Sequence, residues 1–134
     1  MHPRAQQLIE QLQLTPHPEG GWYRQVYKSN ERVTRHADGA DRSALTTIYF
    51  LLVEGTHSAW HRVSSDEVWH FYEGDALELL TRDSVTRLDS DHRVHVIRAN
   101  EWQAARPLGA YVLVGCTVGP GFEFEDFEMT AAED

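Results

Sequence analysis

Apolar residues recur with helical spacing in only one part of the chain. Residues 4–14 (RAQQLIEQLQL) set Leu8, Ile9 and Leu12 on one helical face and fill the other with Gln and Glu. Thr15-Pro16-His17-Pro18 stops this helix, because a residue before proline is pushed out of the helical region. From Gly21 onward the pattern changes to short runs rich in β-branched and aromatic residues. These are Gly21–Tyr27, Leu45–Val53, Val68–Tyr72, Ala76–Thr81, Val94–Ile97, Tyr111–Val118 and Phe122–Met129. Turn signals separate them: Asp38-Gly39, Glu54-Gly55, Glu73-Gly74-Asp75, Asp89-Ser90-Asp91, Pro107-Leu108-Gly109 and Gly119-Pro120-Gly121. Many short strands with Gly and Pro turns predict an all-β sandwich or barrel behind one short N-terminal helix.

Length and charge narrow this picture. The 134 residues suit one domain on a prior of roughly 150 residues per domain. The expected layout is a single domain over 1–134, with helix and loop in 1–20 and a β-barrel in 21–130. Asn30–Arg42 is polar and carries both charge signs, as either a solvated excursion or a flap over one mouth of the barrel would. A net charge of −9 argues against nucleic acid or an anionic membrane as partner, since both reward a basic face. The lone Cys116 cannot form an internal disulfide and is expected to be a buried small hydrophobe. The longest aliphatic-aromatic run, Ile48–Val53, is far short of the ~20 residues of a membrane span. The first residues hold no signal-like apolar region, so a cytoplasmic location is expected.

The chemistry concentrates between Gly55 and Asp75. Five residues separate Gly55 from His61, one separates His61 from Val63, three precede Glu67, and six precede Gly74. Side chains at i and i+2 of a strand point the same way. A glutamate on the next strand of a hairpin can then face them inside a barrel. The spacing resembles the first motif of the cupin superfamily, G-x5-H-x-H-x3/4-E-x6-G, with Val63 where the second histidine belongs. Arg98–Pro107 resembles the second motif, P-x-G-x2-H-x3-N. There Gln103 stands at the histidine position, Arg98 replaces proline, and Asn100, which tolerates positive φ, replaces glycine.

The wider wording is similar to the small single-domain proteins of the fifth cupin family, a domain of unknown function. It includes Pro16-His17-Pro18-Glu19-Gly20-Gly21, Ile48–Leu52, Trp60-His61-Arg62, Trp102–Arg106 and Leu113–Val118. The resemblance spans residues 8–128. It implies a double-stranded β-helix (jelly roll), a homodimer and a pocket inside the barrel, and it implies no substrate.

His61 and Glu67 are the candidate catalytic residues. A carboxylate beside an apolar strand should avoid burial unless something pairs with it, so Glu67 is expected to face the pocket near His61. Strand parity then turns Trp69 and Phe71 inward as substrate contacts, Trp69 as a stacking wall. The same parity turns His70 outward, to packing or a subunit contact. Gln103 offers a donor and an acceptor to a ligand. Arg24 is a candidate for the pocket mouth. Glu19 reads as a turn residue, or as a cap over the pocket on the family wording alone. Glu123, Glu125 and Asp126 read as a solvated face. Trp22, Tyr23, Val26 and Tyr27 form an N-terminal edge suited to pairing across subunits.

Three functions fit these residues. The first is binding of a small polar metabolite, sugar- or nucleotide-like, with metal-independent epimerisation or isomerisation by His61 and Glu67. The second is a metal-dependent dioxygenase or isomerase, with His61, Glu67 and Gln103 as the ligands available. The third is a non-catalytic small-molecule-binding module. No cofactor is expected beyond weak or adventitious divalent metal, because Val63 cannot donate and an amide oxygen is a poor ligand. Replacing Val63→His and Gln103→His together should rebuild a three-histidine, one-glutamate set. The expected outcome is a large thermal shift with added Ni or Mn ions in the double variant. A full equivalent of metal held by His61 and Glu67 in the unaltered protein would reverse the ranking.

Overall fold

In the computed structural model, which describes residues 1–130, helix α1 (Pro3–Leu12) leads into thirteen strands. They are β1 (Thr15–Pro16), β2 (Trp22–Lys28), β3 (Arg32–Thr34), β4 (Asp41–Ser43), β5 (Thr46–Val53), β6 (Ser58–Val63), β7 (Asp66–Gly74), β8 (Leu77–Thr81), β9 (Val85–Leu88), β10 (Val94–Ile97), β11 (Gln103–Pro107), β12 (Tyr111–Gly119) and β13 (Phe127–Met129). One sheet runs β1-β2-β5-β12-β7-β10 and the other β13-β6-β11-β8-β9, with β3 and β4 paired apart. All pairings are antiparallel. The two sheets face each other as the jelly-roll sandwich that the strand pattern and the motifs predict. Residues 131–134 of the expected domain lie outside the described part.

Alternation decides where the core sits. Phe50 and Leu52 of β5, Trp69 of β7, and Val112, Val114 and Cys116 of β12 point between the sheets. There they meet Leu77 and Leu79 of β8, Leu88 of β9 and Ala105 of β11. The intervening Leu51, Val53 and Leu113 point the other way and are buried by Ala5 and Leu8 of α1. This second covering explains why the far half of β5 reads as an unbroken apolar run: both of its faces are dry. The helix starts at Pro3, where no intrahelical donor is needed. His2 Nδ1 accepts the Arg4 amide at 3.1 Å. Arg4 then ties α1 to Glu73 of β7 through two bonds of 2.9 Å.

Three segments depart from the sequence pattern. The motif places β6 and β11, but β9 lies in a stretch without an apolar run. Phe122–Met129, expected as one strand, extends only at β13, while Phe124–Asp126 coils into a 3-10 turn. The turn lets Phe122, Phe124 and Phe127 pack edge to face, with centroids 4.9–6.1 Å apart. Asp126 is not part of a solvated face: its side chain is 6% exposed. It accepts Arg42 in a two-bond clasp at 2.8 and 2.9 Å, and Arg35 at 3.1 and 3.3 Å.

Arg35 closes the β3–β4 hairpin by pairing with Asp38 at 2.7 and 3.0 Å, and also donates to Ser65 at 3.0 Å. The polar 30–42 stretch is therefore pinned to the Phe122–Phe127 segment and is not a free excursion. The two guanidiniums hold the Asp126 carboxyl down at about 2, Arg42 contributing most. Removing that carboxylate takes the two-bond partner from Arg42 and leaves Arg35 with Asp38 alone among the described carboxylates. Asp126→Ala should cost about 3 kcal/mol in urea unfolding at pH 7, and a loss below half of that would show that water already shields the cluster.

Candidate functional site

A cavity of about 200 Å³ opens at one end of the barrel. Its walls follow from the same alternation that builds the core. Tyr23 and Gln25 of β2, Thr46 and Ile48 of β5, His61 and Val63 of β6, Glu67 of β7, and Cys116 and Val118 of β12 all point into it. His17 and Glu19, from the turn after β1, line it as well. Phe122, Glu123, Phe124 and Phe127 close one side.

His61 is 2% exposed. Its Nδ1 lies 2.7 Å from the Ala59 carbonyl oxygen. A carbonyl can only accept, so Nδ1 carries the proton and Nε2 is left as a bare acceptor. Nε2 lies 3.6 Å from Glu19 Oε2. Burial holds the imidazole below its ordinary value, against the pull of Glu67, so the ring is neutral.

Burial pushes the Glu19 carboxyl up to about 8, although the Ser58 hydroxyl donates to it. The Glu19 backbone is fixed at both ends. Its amide donates to His17 Nδ1 at 3.0 Å, and its carbonyl accepts the Ala59 amide at 2.7 Å. Gly20 then turns with φ +109°, where a side chain would collide with the His57 carbonyl. His17, acceptor at Nδ1, is also neutral, its value lowered by burial to about 4.

Glu67 is the end of a hydrogen-bond chain. Trp69 Nε1 can only donate, and it donates to Gln103 Oε1 at 3.0 Å. The Gln103 amide is thereby oriented so that its Nε2 donates to Glu67 Oε1 at 2.8 Å. Desolvation raises the Glu67 carboxyl more than His61 and Gln103 lower it. The Cys116 thiol, raised well above its ordinary value by burial, also bonds Glu67.

His61 and Glu67, expected in the pocket, both line it. The four residues expected as ligand contacts do not. Trp69 is 1% exposed, packed edge-on to Phe50 in the core, and touches the site only through Gln103. Gln103 sits behind Glu67, accepting from Trp69 and donating to Glu67. Phe71 packs against the inter-sheet core. Arg24 points to the opposite face of β2 from Tyr23 and Gln25 and pairs with Gln13 at 2.6 Å. His70 faces outward and stacks on Tyr72.

The sequence pattern does not place His17, Tyr23, Lys28 or the three phenylalanines at the site, and it gives Glu19 as a turn residue, with a cap over the pocket implied by the family wording alone. The one legible signal was Pro16-His17-Pro18-Glu19-Gly20-Gly21, two titratable groups locked between prolines and glycines.

The donor set does not fit a resident metal of the kind the fold often holds. Val63 occupies the second ligand position, and the Gln103 amide is committed to Trp69 and Glu67. Among the described residues no three His, Cys, Asp or Glu side chains are grouped as ligands. No helix there is long and apolar enough to cross a membrane.

The family model described as Cupin superfamily (DUF985) matches residues 6–130. No curated protein matches the chain. Among solved structures, a hypothetical protein from Leishmania major is 31% identical, with 94% of this chain and 86% of that one covered and a TM-score of 0.85. A Shewanella oneidensis protein is also 31% identical, with 94% and 84% covered and a TM-score of 0.85. The DMSP lyase DddQ from Ruegeria pomeroyi shares the fold at 16% identity, with 68% and 45% covered and a TM-score of 0.57. The chain belongs to the DUF985 family of the cupin superfamily.

The buried acids make stability depend on pH in a defined sense. Glu19 keeps its proton to about pH 8 when folded but loses it near 4.5 when unfolded, so stability falls as pH rises between those values. His17 stays neutral down to about 4 when folded against 6.5 unfolded, so its contribution rises over that interval and is complete above it. The two offset from about pH 4.5 to 6.5, leaving a decline from 6.5 to 8. One proton over that window amounts to at most about 2 kcal/mol. Urea midpoints should fall accordingly in the parent protein and less in Glu19→Gln, where only the Glu67 share remains. An equally steep fall in Glu19→Gln would mean that Glu19 ionises freely in the fold.

Proposed function

We propose that this DUF985 cupin binds a small polar metabolite in the barrel and acts on it by acid–base chemistry without a metal. The observation that carries this reading is the pairing of a bare His61 Nε2 with a protonated Glu19 carboxyl, 3.6 Å apart in one cavity. Two titratable groups whose surroundings drive their affinities for a proton in opposite directions are a general base and a general acid at the same pH. His61 takes a proton from carbon next to a carbonyl. Glu19 or Glu67 returns one to oxygen or to carbon. That is epimerisation or isomerisation.

Glu67 is held by Gln103 and Trp69, which makes those two positioning residues. The aromatic wall that a sugar-like ring needs is supplied by Tyr23, Phe122, Phe124 and Phe127. The Ruegeria pomeroyi protein is named a lyase, which supports catalysis as a use of this fold and carries no reaction over. The same reading places the protein in the cytoplasm as a homodimer, without nucleic acid. The outer face of the first sheet supports the dimer, since Tyr72, Val94 and Val96 are each about half exposed there.

The test uses a small-metabolite extract incubated with the protein in D2O and read by mass spectrometry. One compound should gain a deuterium with the parent protein, with and without EDTA, and none with His61→Ala. Loss of labelling on chelation would install the metal-dependent alternative. An extract compound retained by the protein but never labelled would make it a binding module.

A further inference from the structure

We propose that the ligand of this pocket is a small organic anion, whose carboxylate Lys28 takes up at the mouth in exchange for Glu123. The inference rests on the pocket reading above and adds the class of molecule. It begins with a break in register. Tyr23 pairs with Phe50 and Gln25 with Ile48, both inward pairs, so alternation alone would next bring Tyr27 inward. Between Gln25 and Tyr27 the pairing shifts by one residue, and Lys28, opposite Thr46, continues the inward series. Tyr27 pairs with Thr47 and is left 54% exposed. A bulge that re-aims one side chain next to a cavity is a device met at functional sites. Here it puts the only Lys or Arg among the described lining residues into the cavity rim.

The rest of the lining sharpens the choice of ligand. The cavity floor has hydrogen-bonding groups but no full positive charge, since His17 and His61 are neutral. The ammonium of Lys28 is thus the one place where an anion is attracted. In this structure it is filled from within, by Glu123 at 2.7 Å. Glu123 stands between Phe122 and Phe124, on the segment that closes the cavity. A protein carboxylate already occupies the position a ligand carboxylate would take, on the segment that forms one wall of the cavity. The pair is 46% and 35% exposed, and ion pairs so open to water are easily exchanged. A cavity of about 200 Å³ is below the roughly 300–1,000 Å³ of sites for drug-sized ligands. It therefore favours a small acid over a nucleotide.

Benzoate and its neutral counterpart benzamide separate charge from shape. The methyl resonances of Ile48, Val63 and Val118, which line the cavity, report binding of either in the parent protein, Lys28→Met and Glu123→Gln. Benzoate should bind Glu123→Gln about three- to fivefold more tightly than the parent, and Lys28→Met more weakly by a similar factor. Added NaCl should weaken benzoate binding and leave benzamide, equal across the three proteins, unaffected. Benzoate binding Lys28→Met as well as the parent, or benzamide matching benzoate in the parent, would overturn the anion and leave the pocket standing. If neither probe moves those methyls in any of the three proteins, both readings fall.

Discussion

Two carboxyl groups, Glu19 and Glu67, lie inside a barrel whose other inward side chains are mostly apolar, and the local structure is arranged to keep each of them partnered. An uncompensated carboxylate there would be expelled or would force water in. In each, burial raises the affinity for a proton, and each has a fixed set of bonds. Glu67 has the Gln103 amide and the Cys116 thiol. Glu19 has the Ser58 hydroxyl, with both its backbone groups tied to His17 and Ala59. The Ala59 residue then does two things at once. Its amide anchors Glu19, and its carbonyl sets the tautomer of His61. The geometry of the acid and the proton state of the base are therefore fixed by one residue of β6.

The same economy appears in how the sheets use their two faces. The first sheet must hold the core on one face, α1 on the other, and the pocket at one end. β5 meets all three: Thr46 and Ile48 line the cavity, Phe50 and Leu52 enter the core, and Leu51 and Val53 receive the helix. β2, near the edge, packs against the two clusters through Tyr23 and Trp22, and beyond them, between Gln25 and Tyr27, its register slips. Its slip is what gives a cationic side chain access to the cavity.

Much of this was legible in the amino-acid sequence, for a definite reason. A strand's period of two and the interval from His61 to Glu67 fix which side chains share the barrel interior, so those two residues could be placed without coordinates. The same parity also turned Trp69 and Phe71 inward correctly, but it does not give depth. A residue two places along a strand moves by about 7 Å, enough to pass from the cavity wall into the dry core. Gln103 was likewise inward, yet it lies behind Glu67, accepting from Trp69 and donating to Glu67. Arg24 failed because parity is counted from Tyr23, whose direction was not known. Asp126 failed because its partners, Arg35 and Arg42, are more than 80 residues away in the chain. Glu19 lies outside any strand, where periodicity says nothing.

The substitutions that separate this chain from the metal-binding pattern are coupled through that geometry. Gln103 stands opposite His61 across β6 and β11. With histidine at 103 and at 63, imidazole nitrogens would crowd the space in front of Glu67 and leave its charge to a cation. With valine at 63 one wall becomes apolar, and charge on Glu67 loses its compensation. Glutamine at 103 then does what a metal would otherwise do, in a different way: it donates a neutral hydrogen bond to Oε1 and is itself locked by an indole. A donated hydrogen bond stabilises a carboxylate far less than a divalent ion does, so burial prevails and the Glu67 carboxyl stands above its ordinary value. With valine at 63 and glutamine at 103, the affinity of the buried carboxyl for a proton is raised. The one Lys or Arg among the described lining residues is the one the bulge in β2 turns inward.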